Sequence, residues 1–241
     1  MANVLYMNDC YLKEFEAKVS KVSGDGEKEG KFIVLDQTAF YPNSGGQPWD
    51  EGVITRDGTE FKVVFVGKFS GEISHEVDKS GLQVGDKVKC SIDWERRYKL
   101  MRMHTAAHIV SGILFHDAGA LITGNQLGLD KTRIDFSLEN FDREKLEEYI
   151  QKANEFVRKD CEIRISEMSR EDVEKNPDLM RLAKGLPPGI KVLRMVEITG
   201  LDIQPDGGTH VKSTKEVGTI EFLKAENKGK NNRRMYFTLK D

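Results

Sequence analysis

Across residues 3–90, apolar and polar positions alternate in short runs that glycine and aspartate interrupt. Phe15-Glu16-Ala17-Lys18-Val19-Ser20-Lys21-Val22 alternates, Gly24-Asp25-Gly26 breaks the run, and Lys31-Phe32-Ile33-Val34-Leu35 resumes it, which predicts a hairpin. Residues 52–55, 61–66, 71–77 and 84–93 repeat the pattern between turn signals. Successive strand side chains point to opposite faces, so each run buries one face; this many short runs predict a small barrel or sandwich. Inside them lies Phe40-Tyr41-Pro42-Asn43-Ser44-Gly45-Gly46-Gln47-Pro48, where two prolines and a Gly-Gly pair exclude regular structure. This stretch reads either as a barrel turn or as a loop whose missing side chains let backbone approach a ligand.

From Trp94 the period changes. Leu100, Met103, Ala107, Val110 and Leu114 recur at steps of three and four, which predicts a helix through Phe115 with Gly119 as its stop. Residues 121–129 read as irregular strand and 132–136 as strand. Asp142 caps an amphipathic helix over 143–158. A strand over 163–168 precedes a short helix that Ser169 or Arg170 opens and that runs toward Pro177. A Pro/Gly loop occupies 185–189, and 191–198 is a strand. A final strand pair, 217–223 and 234–239, flanks a basic, Asn-rich turn. Helices and strands without a β-α-β rhythm predict an α+β fold with an antiparallel sheet. The expected division is a β-barrel over 1–93 and an α+β domain over 94–241.

Candidate chemistry sits in two distant stretches. His104-Thr105-Ala106-Ala107-His108 puts two imidazoles one turn apart on the same helix face. Asp206-Gly207-Gly208-Thr209-His210 ends a turn in a third, and the glycines permit positive φ there. Thr105 follows His104 where a metalloprotease motif would have glutamate, so no helix-borne base is present. The inference is that His104, His108 and His210 close on one divalent metal, zinc by ligand type. Three histidines leave a tetrahedral zinc one open position, as in a catalytic site, and no cysteine lies near to close it. Asp206 reads equally as an oxygen ligand and as a turn residue bonding its own loop. Thr105 and Thr209 read as pocket residues or as supports for the histidines; His75 and His116 read as surface or packing residues.

Composition narrows the setting. The 241 residues are 32% charged and 38% apolar, and net charge is −3, so no global basic field attracts nucleic acid. Any RNA contact must be local. The clusters available are Lys224, Lys228, Lys230, Arg233 and Arg234 in the last hairpin, and Arg96, Arg97, Lys99 and Arg102 at the start of the long helix. Each reads as a phosphate contact or as a solvated face. Cys10, Cys90 and Cys161 show no C-x-x-C spacing, which fits reduced thiols. With no leader pattern and no apolar run of membrane length, the expected location is cytoplasmic, with neither membrane nor DNA as partner.

The pattern H-T-A-A-H followed by D-G-G-T-H resembles the editing domain of alanyl-tRNA synthetase and the free-standing, medium-length AlaX-type editing proteins. Residues 38–48 resemble that family's glycine-rich motif, and Lys184-Gly185-Leu186-Pro187-Pro188-Gly189 and Val217-Gly218-Thr219-Ile220 are also similar to family segments. The resemblance implies a translation-factor-like β-barrel before a zinc-binding editing domain. It implies hydrolysis, in trans, of the ester joining misattached serine to alanine tRNA, with no stable protein partner. Zinc ligands carry over to His104, His108 and His210. The family's cysteine falls at Asp206, a harder ligand that weakens zinc preference. Thr38, Gly45 and Gly46 carry over as candidates for amino-acid discrimination. The residues alone leave two alternatives: a metal-dependent hydrolase of a small ester or amide, and a non-catalytic tRNA-binding module with structural zinc.

Overall fold

The fold comes from a computed structural model that describes residues 3–139, 142–179 and 189–240. Residues 184–188 of the Pro/Gly stretch lie outside the described residues. The chain forms two compact units, Met1–Lys99 and Leu100–Asp241.

In the first unit β1 (Asn3–Val4) pairs in parallel with β4 (Gln37–Thr38). The rest is a closed six-stranded antiparallel barrel. Its strands are β2 (Glu14–Ser23), β3 (Phe32–Leu35), β5 (Gly52–Arg56), β6 (Thr59–Phe69), β7 (Glu72–Val77) and β8 (Lys87–Ile92), in the order β2-β3-β7-β6-β5-β8. The alternation seen in the sequence is the inside–outside alternation of the barrel wall. Val19, Ile33, Leu35, Ile54, Phe61, Val63, Val66, Val88 and Ile92 fill the interior with Phe40. Closure leaves no unpaired edge, which a sandwich of the same strands would have kept.

The helix α1 (Trp94–Ala118) begins in the first unit and continues through the second. In the second unit, β9 (Ile122–Gln126), β10 (Thr132–Phe136), β14 (Thr219–Asn227) and β15 (Arg233–Lys240) make an antiparallel sheet in the order β14-β15-β10-β9. Helix α2 (Arg143–Val157) starts as the sequence predicts, with the Asp142 carboxylate accepting the Lys145 N–H. A second sheet holds β11 (Ile163–Ser169), β12 (Val192–Ile198) and β13 (Asp202–Pro205). Ser169 caps α3 (Arg170–Lys175). Among the described residues no helix is long and apolar enough to cross a membrane.

Two local expectations change. The strand expected from Val217 starts at Thr219: residues 214–217 form a tight helical turn held by a reciprocal Ser213–Glu216 capping box, and Gly218, at φ 79°, ends it. The short strand β13 was not foreseen. It pairs with β12 across a turn at Gly200 (φ 82°) and leads the chain into the Asp206–His210 stretch.

Candidate metal centre

The second unit brings together four side chains from two places in the sequence. His104 and His108 leave one face of α1, and Asp206 and His210 come from the turn after β13. One ligand atom from each lies within 4.8 Å of all the others. Asp206 Oδ1 is 3.6 Å from His104 Nε2 and 4.0 Å from His108 Nε2, and Asp206 Oδ2 is 3.1 Å from His210 Nε2. The three rings are buried, with centroids 4.3–5.0 Å apart. The Asp206 side chain remains 20% exposed, which gives the cluster one side toward solvent.

Two of the three imidazoles, His210 and His108, are aimed by a second contact. Thr105 Oγ1 is 3.1 Å from His210 Nδ1 and accepts the Val211 N–H at 3.3 Å. His210 Nε2 lies 3.1 Å from Asp206 Oδ2, and placing the ring proton on Nδ1, toward Thr105, is what frees Nε2 to bind a metal. His108 Nδ1 meets the Gln204 side-chain amide at 3.0 Å. That amide also donates to Asp202 Oδ2 at 2.6 Å, and Asp202 Oδ2 is 3.7 Å from His108 Nδ1. A carboxylate behind the ring is the usual company of a metal-binding imidazole. β13 therefore serves the site: Asp202 and Gln204 sit on it, two residues apart, on one face.

The turn is built differently from the expectation. Neither Gly207 nor Gly208 is among the residues with positive φ. Instead the Asp206 carboxylate folds the loop, its Oδ2 accepting the Gly208 N–H at 2.6 Å. This leaves Oδ1 as the atom that faces His104 and His108. Arg194 reinforces the turn from β12 by donating to the Asp206 carbonyl at 2.8 Å.

Burial sets the charge state. It holds the His104 imidazole well below its usual pKa, and His210 at about 4. Burial by itself pushes the Asp206 carboxyl up, but the surrounding imidazoles outweigh it and hold the group well below the ordinary carboxylate range. The result at neutral pH is the neutral His104 and His210 imidazoles and the Asp206 carboxylate converging in a buried space, beside the Arg194 guanidinium that donates to the Asp206 carbonyl. That donor set suits a divalent metal ion.

The other candidate residues have local roles. Gly45 and Gly46, at φ 59° and 87°, make a two-residue turn closed by Ser44 and Gln47. Thr38 is fully buried. Its neighbour His75 donates from Nδ1 to the Ile33 carbonyl, and burial lowers the ring's pKa to about 4, so Nε2 is a lone pair. The Thr38 hydroxyl thus donates to His75 Nε2 at 2.9 Å and accepts the Phe40 N–H at 3.1 Å. One oxygen lone pair remains.

Most of the basic side chains already have internal partners. Arg97, read as part of a solvated or phosphate-binding run, is fully buried: it pairs with Asp50 and donates to the Cys10 and Ala39 carbonyls. Arg96 donates to the Trp49 carbonyl, Lys99 pairs with Glu95, and Arg102 donates to the Val217 carbonyl. Arg233 is buried at the last hairpin, its guanidinium spent on the Glu139, Gly229, Lys230 and Asn232 carbonyls. Arg234 pairs with Asp135, and Lys224 and Lys228 share Glu226.

An antiparallel barrel followed by a helix-and-sheet unit with a buried three-histidine, one-carboxylate cluster defines a class of two-unit protein with a candidate metal site. Residues 5–96 match the family model of tRNA synthetases class II (A). Residues 193–236 match that of the threonyl and alanyl tRNA synthetase second additional domain. The chain is 53% identical to the alanyl-tRNA editing protein AlaX-M of Methanosarcina barkeri and 44% identical to that of Saccharolobus solfataricus, in each case over the whole of both chains. It is also 40% identical to the alanine–tRNA ligase of Pyrococcus abyssi, over 92% of this chain and 24% of the ligase. The chain belongs to the AlaX-M family of alanyl-tRNA editing proteins.

Proposed function

We propose that this protein hydrolyses the ester between misattached serine and alanine tRNA, acting in trans in the cytoplasm, with one zinc ion held by His104, His108, His210 and Asp206. The observation that carries the reading is the convergence of those four side chains, together with relatives whose names state alanyl-tRNA editing. Tetrahedral zinc with nitrogen and oxygen ligands sets neighbouring ligand atoms about 3.3 Å apart. The Asp206 Oδ1 separations of 3.6 Å from His104 Nε2 and 4.0 Å from His108 Nε2 would have to contract by about 0.3–0.7 Å to meet that. Zinc bound there supplies a Lewis acid for the ester carbonyl.

The chain's own residues do the rest. The imidazoles bind as neutral donors, His210 aimed by Thr105 and His108 by Gln204 with Asp202. Asp206 presents Oδ1 while Gly208 anchors Oδ2. Discrimination is assigned to Thr38 in the glycine-rich segment with Gly45 and Gly46. With its proton given to His75, the Thr38 oxygen can only accept. Serine has a hydroxyl to donate and alanine has none, the kind of difference a polar site reads strongly. Lys230 contacts phosphate, joined by Lys224 and Lys228, whose exposed pairing with Glu226 costs little to open.

The test is release of amino acid from alanine tRNA charged with serine or with alanine. Serine release that stops with chelator and returns with zinc supports the reading. Release of alanine at the same rate overturns it, as does indifference to chelator or activity on simple esters irrespective of tRNA.

A further inference from the structure

The four-stranded sheet has two faces of opposite character. Ile134, Phe136, Ile220, Met235 and Phe237 are buried on one. The other carries two rows of directly paired residues, Gly124–Asp135–Arg234–Glu226 and Gln126–Arg133–Tyr236–Lys224. In the first row every charge is matched: Arg234 reaches both Asp135 oxygens, at 2.7 and 2.8 Å, and Glu226 takes Lys224 and Lys228.

In the second row Lys224 has Glu226 and lies over the Tyr236 ring, but Arg133 is not matched. The side chain of Arg133, between Gln126 and Tyr236, makes no hydrogen bond or ion pair among the described residues. Its Nε is buried without an acceptor. Other arginines here have partners for their terminal nitrogens: Arg97 a carboxylate and two carbonyls, Arg234 a carboxylate, and Arg233 four carbonyls, although its Nε is likewise without an acceptor. A half-buried guanidinium with nothing to bind is costly to the isolated protein. It lines a cavity of about 320 Å³ together with Gln126, Asp130, Lys131 and Tyr236. The rim is tight at Gly128, where an added Cβ would meet the Lys131 carbonyl oxygen at 2.7 Å.

We infer that this row is a nucleotide subsite for the substrate tRNA, with a backbone phosphate on Arg133 and Lys131 and the adjoining base against Tyr236 and Gln126. The inference rests on the tRNA reading above. Arginine presents a planar fork that matches phosphate oxygens. RNA is read by phosphate contact, by stacking on aromatic rings and by hydrogen bonds to base edges, and this row carries one side chain suited to each. Net charge of −3 gives the chain no diffuse attraction for RNA, so an unneutralised cation in a pocket is where a phosphate gains most.

The test compares the full chain with Arg133→Gln, Arg133→Lys and Tyr236→Leu. Binding of labelled, uncharged alanine tRNA is followed by fluorescence anisotropy across a potassium chloride series, alongside deacylation kinetics and a thermal melt. Arg133→Gln should weaken binding about tenfold at moderate salt and reduce the salt slope by about 1. It should raise KM at unchanged kcat and leave Tm no lower than wild type, since Arg133 has no internal partner to lose and its unmet burial cost is removed. Arg133→Lys should keep the slope, and Tyr236→Leu should weaken binding at least about fivefold without changing it. Wild-type affinity and slope in Arg133→Gln would overturn the subsite, as would a lowered Tm with the slope intact, or a pocket that binds AMP while Arg133→Gln leaves tRNA affinity alone. If the wild type deacylates serine-charged tRNA but Arg133→Gln matches it, only the subsite falls. If the wild type neither binds nor deacylates tRNA, the proposed function falls and takes the subsite with it.

Discussion

Replacing Thr105 with valine removes one oxygen and changes shape little. Thr105 is fully buried, and that oxygen serves His210 Nδ1 at 3.1 Å and the Val211 N–H at 3.3 Å. Valine would strand both groups where water does not reach. Each buried donor left unsatisfied costs about 1–3 kcal/mol, so two cost about 2–6 kcal/mol. The bond to Val211 is long, which points to the lower half, about 2–4 kcal/mol. Losing the contact that orients a ligating histidine also weakens metal binding about 10–100-fold. Urea unfolding of the metal-free protein reads the first effect. Competition with a chromophoric chelator at fixed pH reads the second. Thr105→Ser keeps the oxygen and should stay near wild type in both. A Thr105→Val variant with an unchanged urea midpoint and zinc affinity within about twofold of wild type would refute the assigned role of this hydroxyl.

Other consequences follow from buried charge. Arg97→Met leaves the fully buried Asp50 carboxyl without its guanidinium partner, beside the Tyr41 N–H at 2.6 Å, and should cost about 3–5 kcal/mol in urea unfolding. Adding Asp50→Leu should recover most of that, and a single variant as stable as wild type would contradict the assignment. His75 has a pKa of about 4 in the fold against 6.5 for a free imidazole. Below pH 6.5 the unfolded chain therefore takes up a proton that the folded chain refuses. Its contribution is fully present above pH 6.5 and falls toward pH 4, by up to about 3 kcal/mol. Urea melts at pH 7 and 4.5 should show His75→Gln losing less stability than wild type over that window; equal losses would contradict the buried, neutral state.

What the sequence discloses is what short-range periodicity encodes. The barrel strands announce themselves because each buries one face, and α2 because Asp142 caps it and its apolar stripe recurs. His104 and His108 share a face of α1 by spacing alone. Arg97 shows the limit. It stands in a run of cations that reads as solvated, and only folding brings Asp50, 47 residues away, against it. Arg233 looks like an RNA contact until the hairpin wraps its carbonyls around the guanidinium. The supports of the metal cluster were hidden for the same reason. Asp202 and Gln204 lie 94 and 96 residues from His108, and no local pattern marks β13 as a platform behind an imidazole. The Gly207-Gly208 turn misled in the other direction: glycine suggested left-handed backbone, while the Asp206 side chain does the folding.

Titration of metal-free protein with zinc, with bound metal and serine release from alanine tRNA followed on the same samples, tests the central claim most directly. The account predicts that both rise together and break at one zinc per chain, and that a His104→Ala variant shows neither. Full deacylation before any zinc is bound, or by His104→Ala at the wild-type rate, would contradict it.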